Sequence, residues 1–249
     1  MRRIGAVLLL LFFTVSAASA GSCLKEAEGL SRLQNRLVRR SLQKLPPGAW
    51  ASYGTVRVVY LGRQVSPKSG KRLDVIEVSG AATGQVWYRV VSRPFPFQGK
   101  KFRFLVLEPV EAYMKMGGMF FYLTRAMVEI FLKGTAWGAY LDQGVALSPP
   151  GCDDLPVLEE VPRTLPGGGR VKAFVIRSEK YGGTLVCSPE VPFGLIEAVS
   201  RKDKTAVRLV KYGWKGGKGA IPKSALEGAV VLTFSKNKEK KNGKGGKQP

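Results

Sequence analysis

The sequence predicts a mainly β, α+β protein: a curved antiparallel sheet or half-barrel, with an N-terminal amphipathic helix and one further helix packed on the sheet. Three observations carry this expectation. Apolar residues from Leu30 to Leu45 recur at spacings of three and four, and the pattern stops at Pro46-Pro47-Gly48. From Trp50 the period falls to two, in runs rich in Val, Tyr, Phe and Trp that Gly and Pro punctuate. Between two groups of such runs lies one stretch, Met119 to Lys133, that is apolar on most sides.

The elements follow in order. Residues 1–20 read as a signal peptide. Arg2 and Arg3 form a basic start, "AVLLLLFFTV" is an apolar core too short to span a membrane stably, and Ala18-Ser19-Ala20 is a small-x-small cleavage pattern. The mature chain would begin at Gly21 and hold 249 − 20 = 229 residues. Ala20-Gly21-Ser22-Cys23 also loosely fits a bacterial lipobox, with Ala20 where Leu is favoured, so acylation of Cys23 is the alternative. Either way the chain is exported, to the periplasm or the cell envelope, in the second case lipid-anchored through Cys23.

Residues 21–47 form the amphipathic helix. Leu30, Leu33, Leu37, Val38, Leu42 and Leu45 make one face, and Arg32, Arg36, Arg39, Arg40 and Lys44 fill the other. Such a helix either packs its leucines on a core or lies on an anionic membrane. Residues 48–235 form the β domain. "WASYGTVRVVYL", "RLDVIEVS", "GQVWYRVVS" and "KFRFLVLE" are four strand-like runs joined by short turns, which implies an antiparallel meander. After Gly117-Gly118 a helix over 119–133 is expected, with Arg125 and Glu129 at i,i+4. Residues 134–169 are loop-rich, and strands resume in "RVKAFVIRSE", "GGTLVCS", "GLIEAVSRK", "TAVRLVKYG" and "GAVVLTF". The tail 236–249 has six lysines, one glutamate and no apolar residue, so it has nothing to bury and is expected to be disordered.

Composition narrows the chemistry. The chain carries 40 Lys+Arg against 18 Asp+Glu, a net charge of +22, and no histidine. The lack of imidazole excludes Ser-His-Asp and Cys-His machinery and histidine metal sites. No metal and no cofactor are expected. Cys187 as a lone nucleophile would need a base and a lowered pKa. Asp153, Asp154, Glu159 and Glu160 lack the alternation of a calcium loop. "GWKGGKGA", Gly213 to Ala220, has Gly219 where a Walker motif needs Ser or Thr, so it reads as a flexible basic hairpin whose amides, with Lys215 and Lys218, touch an anion at most. Trp50, Tyr53, Tyr60, Trp87, Tyr88 and Phe102 interleave with Arg57, Arg89 and Arg103, but a half-buried sheet produces that alternation anyway. With an export signal, nucleic acid is not the expected partner. Part of the basic excess is equally a general lysine-rich habit. Three cysteines leave one odd. A Cys152–Cys187 disulfide is favoured, with pairing of Cys23 to either left open.

Within this pattern, "CSPEVPFGLIEAV" followed by "RLVKYGWKGGKGAI" resembles a segment of uncharacterised bacterial exported envelope proteins, in which a VPFG-type strand entry precedes a strand ending L-V-x-[YF]-G. "LPPGAWASYGTVRV" and "GQVWYRVV" are similar to the same group. That resemblance implies no activity. More loosely, the order of elements resembles the lipoprotein-carrier architecture (LolA/LolB-like), where a curved sheet wraps a helix around an acyl cavity. Apolar ligand contacts would then come from Trp87, Phe102, Phe104, Met119, Phe120, Phe121 and Phe131. Contacts to anionic groups would come from Lys215, Lys218, Lys236, Lys238, Lys240 and Lys241. The functional expectation is non-enzymatic binding of an envelope lipid, a lipoprotein or an anionic surface polymer. The rival is a structural or interaction module with a protein partner. An enzyme, the third reading, would need paired carboxylates such as Glu108 with Glu111 or Glu190. The stretch around Cys187 itself reads as a corner: Pro189 and Pro192 give no ladder hydrogen bond and belong at a strand break.

Overall fold

The computed structural model describes residues 23–80, 84–132, 157–178, 183–200 and 206–232. The leader 1–20, Cys152, Asp153, Asp154, the tail lysines Lys236, Lys238, Lys240 and Lys241, and the side chain of Phe131 lie outside them.

Helix α1 spans 23–38 and continues into a π-helical turn, Arg39–Gln43. All six positions of the leucine face are buried. The face is turned into protein, which is the packing alternative of the two that the sequence allows.

Thirteen strands follow among the described residues, in two sheets, neither closed into a barrel. The larger holds β1 (Trp50–Tyr53), β2 (Val56–Val65), β3 (Arg72–Ser79), β4 (Gly84–Phe97), β5 (Lys100–Met116), β6 (Met119–Leu123), β12 (Lys211–Gly213) and β13 (Val230–Leu232), in the order β12-β1-β2-β3-β4-β5-β6-β13. The run β1 to β5 is the expected meander, and β6 extends it. The smaller sheet is antiparallel, β11-β10-β9-β8-β7, from β7 (Val157–Thr164), β8 (Arg170–Ser178), β9 (Gly183–Cys187), β10 (Leu195–Ser200) and β11 (Ala206–Arg208).

Five expectations need correction. "WASYGTVRVVYL", expected as one strand, is the hairpin β1–β2, turned at Gly54, whose φ is 71°. The stretch 134–169, expected to be loop-rich, holds strand β7 where it is described, paired along β8. One curved antiparallel sheet or half-barrel was expected; there are two sheets, and β13 runs parallel to β6, which makes the larger one mixed. "TAVRLVKYG" is one extended run that changes sheet. The Leu209 N–H donates to Ile196 O in the smaller sheet, and the next N–H, of Val210, donates to Ser52 O in the larger. The helix expected over 119–133 is shorter: Met119–Leu123 is strand β6, and helix α2 runs Arg125–Leu132. The reason is the turn before it. Gly117 and Gly118 both take positive φ, 56° and 88°. That conformation suits a two-residue hairpin, and it sends the aromatic run "MFFYL" back along β5, with Met116 opposite Met119 and Ala112 opposite Leu123.

The main core lies between the inner face of the larger sheet (Ala51, Val58, Tyr60, Ile76, Val86, Tyr88, Leu107), the end of α1 (Val38, Leu42, Leu45), α2 (Met127, Val128) and residues 165–209 (Leu165, Val191, Phe193, Leu209). On the side facing α1, the smaller sheet sets Phe174, Ile176 and Cys187 against Leu33 and Leu37. The outer face of the larger sheet is covered too. Ile221, Leu226 and Ala229, in and around helix α3 (Lys223–Glu227), pack on Leu73, Val75, Trp87 and Tyr113.

Candidate anion-binding site

Strands β4 and β5 outrun their neighbours. β3 pairs with β4 only from Gly84 to Tyr88, and β6 with β5 only from Ala112 to Met116. Beyond those limits the two strands continue as an arm, from Arg89 opposite Glu108 to Phe97 opposite Lys100. Alternation places Arg89, Val91, Arg93, Phe95 and Phe97 on one face with Phe102, Phe104, Val106 and Glu108. This face has an aromatic tip, where Phe95 meets Phe104 edge to face at 6.2 Å and Phe97 meets Phe102 at 6.4 Å. Its base is charged.

At the base Glu108 is buried, and three arginines converge on it. Arg89 Nε donates to its Oε2. Arg125 reaches Oε1 at 2.6 Å from the first residue of α2, and Arg93 lies 3.7 Å from the same oxygen. The carboxylate side chain is 8% exposed, whereas the three arginines are 50–56% exposed. The Arg89 hydrogen bond holds the Glu108 carboxyl below its ordinary pKa; burial opposes this, and the charges of Arg125, Arg89 and Arg93 add to the lowering. Glu108 is therefore an anion at neutral pH. Each guanidinium has about five N–H donors, and a carboxylate has about four acceptor sites. One carboxylate cannot occupy all the donors of Arg89 and Arg93.

The open edge of β5 along this arm is covered by α1. Asn35 Nδ2 donates to Arg103 O at 2.8 Å, and Asn35 Oδ1 accepts from Leu105 N–H at 2.9 Å. The side-chain amide thus pairs with the edge as a neighbouring strand's peptide would. Ser31 Oγ adds a bond to Arg103 O at 3.3 Å. Cys23 and Ala27, at the start of the helix, pack on Phe97 with Phe95 and Phe102 around them.

The structure does not bring the expected apolar ligand residues together. Trp87 is fully buried, tilted 6.2 Å from Tyr113, and belongs with Phe120 to the outer-face cluster under α3. Phe102 and Phe104 are on the arm, and Phe104 is buried. Phe121 lies opposite Val230 near the far edge, half-buried, and Met119 is 58% exposed. A small cavity lined by Leu37, Ser41, Leu42, Cys187 and Phe193 has room for about 10 Å³. That is one water at most.

The glycine-rich segment is a strap rather than a flexible hairpin. Glu77, 1% exposed, accepts from Ala220 N–H at 2.6 Å, Ile221 N–H at 3.3 Å and Gln85 Nε2 at 3.1 Å. The Gly217 N–H donates to Gly48 O at 2.8 Å. A Cβ on Gly217 or Gly219 would come within 2.9 Å of Gly48 O or of Glu77 Oε2. The glycines let the strap lie flat, and two amides that looked available to an anion are taken, that of Ala220 by Glu77 and that of Gly217 by Gly48 O. Lys215 and Lys218 remain exposed on it.

Cys187 is a free, buried thiol, so the expected Cys152–Cys187 disulfide is not formed. Burial pushes its pKa up to about 12. It packs with Leu33, Leu37 and Phe174, which makes it a core residue and explains its position at the end of a strand. The segment after it is a corner and an anchor. Ser188 N–H donates to Gly194 O at 2.8 Å, and Ser188 Oγ donates to Lys172 O at 2.8 Å. Phe193 takes φ 63°, uncommon for an aromatic residue. Its N–H donates to Ser41 O in the π-helical turn at 3.2 Å. The carboxylates weighed as a catalytic pair serve different neighbours: Glu111 accepts from Tyr122 Oη at 3.0 Å, and Glu190 caps Lys172 N–H at 3.4 Å.

Sequence reading passed over Arg93 and Glu77. Arg89 and Arg93 share strand parity, which is readable, but their shared target is fixed by the β4–β5 register. Among the described residues no acid, thiol or imidazole cluster suits a metal, and no helix is long and apolar enough to cross a membrane. No protein-family model, curated protein or solved structure matches this chain.

Proposed function

We propose that this chain is an exported, non-enzymatic envelope protein that binds a lipid, a lipoprotein or an anionic surface polymer. The observation that carries the reading is the half-exposed arginine group, Arg89, Arg93 and Arg125, beside an aromatic arm tip. Exposed guanidiniums suit an anionic head; of the tip aromatics Phe97 and Phe104 are buried, and the half-buried Phe95 and Phe102 are what apolar surface remains beside them. The net charge of +22, or 22 − 2 = +20 without Arg2 and Arg3 of the leader, supports it by drawing the protein to anionic surfaces. The cavity between α1 and Phe193 lends no support to an acyl-carrier version, because it is far too small for a chain.

Sedimentation of the purified mature protein with vesicles tests the proposal. Binding to phosphatidylglycerol-containing vesicles, weak binding to phosphatidylcholine alone, and release by salt are expected. Failure to bind anionic vesicles or an anionic envelope polymer at low salt refutes it. Cys23 is disulfide-bonded in the structure, which leaves no sulfur for an acyl group; intact-mass measurement of the same sample, before and after reduction, locates the N-terminus and checks that bond.

One observation favours the second reading, an interaction module of an envelope assembly. Among the described residues strand β13 is the edge of the larger sheet, with Val230 and Val231 about half exposed, and a sheet edge of this kind accepts a partner strand. Copurification with a protein partner and without lipid would support it.

A further inference from the structure

From the geometry at the base of the arm, and resting on the binding reading above, we infer that Arg89, Arg93 and Arg125 form a receptor for a phosphate group, with Glu108 as the internal counter-ion that holds them ready. Three features argue for it. First, the guanidiniums are preorganised. Glu108 fixes Arg89 from β4 and Arg125 from α2 on its two oxygens, and draws Arg93 to 3.7 Å. A ligand arriving here orders little that is not already ordered.

Second, donors outnumber acceptors. Three guanidiniums offer about fifteen N–H groups, and the carboxylate uses about four. Arg125 has a further interaction besides Glu108, so the surplus falls mainly on Arg89 and Arg93. Both are half exposed on one face of the arm. A tetrahedral phosphate, with several acceptor oxygens, uses such forks in bidentate fashion.

Third, the anion already present does not fill the site. Arg93 makes only the long 3.7 Å contact, whereas a committed charge-assisted bond is about 2.7–2.9 Å. Arg93 is the residue placed to close on an incoming phosphate. Phe104 lies directly across from it, and Phe95 and Phe102 one rung further out. Phe104 is buried, so a phosphate carried by an amphiphile would meet apolar surface only at the half-buried Phe95 and Phe102, whereas a free phosphate would use the arginines alone.

The test is isothermal titration of the mature protein with two probes: inorganic phosphate, and phosphatidate in phosphatidylcholine vesicles. Variants R93A, R93K and the distant charge control K211A, on β12 at the far end of the sheet, are compared with the wild type. Saturable binding of both probes, weakened about tenfold or more in R93A, supports the site, because one charge-assisted hydrogen bond is worth about that factor. K211A stays within about twofold, since that charge is screened. R93K retains charge but not the fork, and falls between. Arginine-dependent binding of the vesicles but not of inorganic phosphate supports a lipid-borne phosphate. If R93A and K211A lose the same small amount, the phosphate site is overturned while anionic-surface binding stands. If the wild type binds neither probe, and its binding of phosphatidylglycerol vesicles is unchanged in R93A, the site is again overturned. No binding to any of these overturns both readings.

Discussion

Removing the Glu77 carboxylate should release the C-terminal strap from the sheet. Glu77 projects from β3 into the outer face and is 1% exposed. Its oxygens accept from Ala220 N–H, Ile221 N–H and Gln85 Nε2. In E77A all three donors lose a charged acceptor. A buried donor left without one costs about 1–3 kcal/mol, so the two backbone amides alone set a range of about 2–6 kcal/mol. Ala220 is exposed, so water can replace the acceptor once the strap lifts. That places the expected loss toward the lower end, about 2–4 kcal/mol. E77Q keeps the shape and one acceptor oxygen, and should lose about half as much. Urea denaturation gives the total. Native-state hydrogen exchange locates it: protection at Ala220 and Ile221 should fall first, followed by Leu226 in α3, which packs under the same strap. Unchanged protection at those amides, with a stability shift below about 0.5 kcal/mol, would refute the assignment of Glu77 as the strap's anchor.

Four further outcomes follow from the same geometry. N35A leaves Leu105 N–H and Arg103 O on an open edge and should cost about 1–2 kcal/mol in chemical denaturation; N35D should do no better, because its anion faces the Arg103 carbonyl. G194A should be worse than G54A: both sites have positive φ, 74° and 71°, but only at Gly194 would the new Cβ meet an atom, Ser41 Oγ at 2.9 Å. Strain alone costs about 1–2 kcal/mol, so equal melting temperatures for the two variants would sink the corner-to-helix contact. Glu108 has a lowered folded pKa, so its stabilisation is fully present above the unfolded value of about 4.3 and is lost as pH falls through the lower folded value. Acid titration should show that wild type loses more stability than E108Q in that window. Cys187, with its thiol raised to about 12 and buried, should resist iodoacetamide in the native protein at mildly alkaline pH and react on unfolding, as read by mass spectrometry; rapid native labelling at Cys187 contradicts the packing.

Legibility varied from element to element. The leucine face of α1 was readable because a helix buried on one side repeats every three to four residues, and all six positions are buried. The meander was readable for the same reason at period two. The helix expected at Met119 failed because Met, Phe and Tyr suit either state, and the local hairpin at Gly117-Gly118 decided the matter. The corner at Pro189–Gly194 was visible from its prolines, but its partner, the Ser41 carbonyl, lies about 150 residues away in sequence. The glycine-rich strap was noticed for its likeness to a phosphate loop. Its real use is close approach to a buried glutamate, which nothing local reveals.

The sequence alone determined what depends on neighbours along the chain: periodicity, turns, the lack of imidazole chemistry and the strongly basic balance. Tertiary structure decided what depends on register and docking. It set Arg89 and Arg93 of one strand, Glu108 of the next and Arg125 of a helix on a single point, and it left Cys187 in a core rather than in a bond. The physical reason is that strand alternation fixes only which face a side chain takes. Which residue it meets there is fixed by the pairing register, and a shift of one position would turn Arg89 from Glu108 to Leu107 or Pro109.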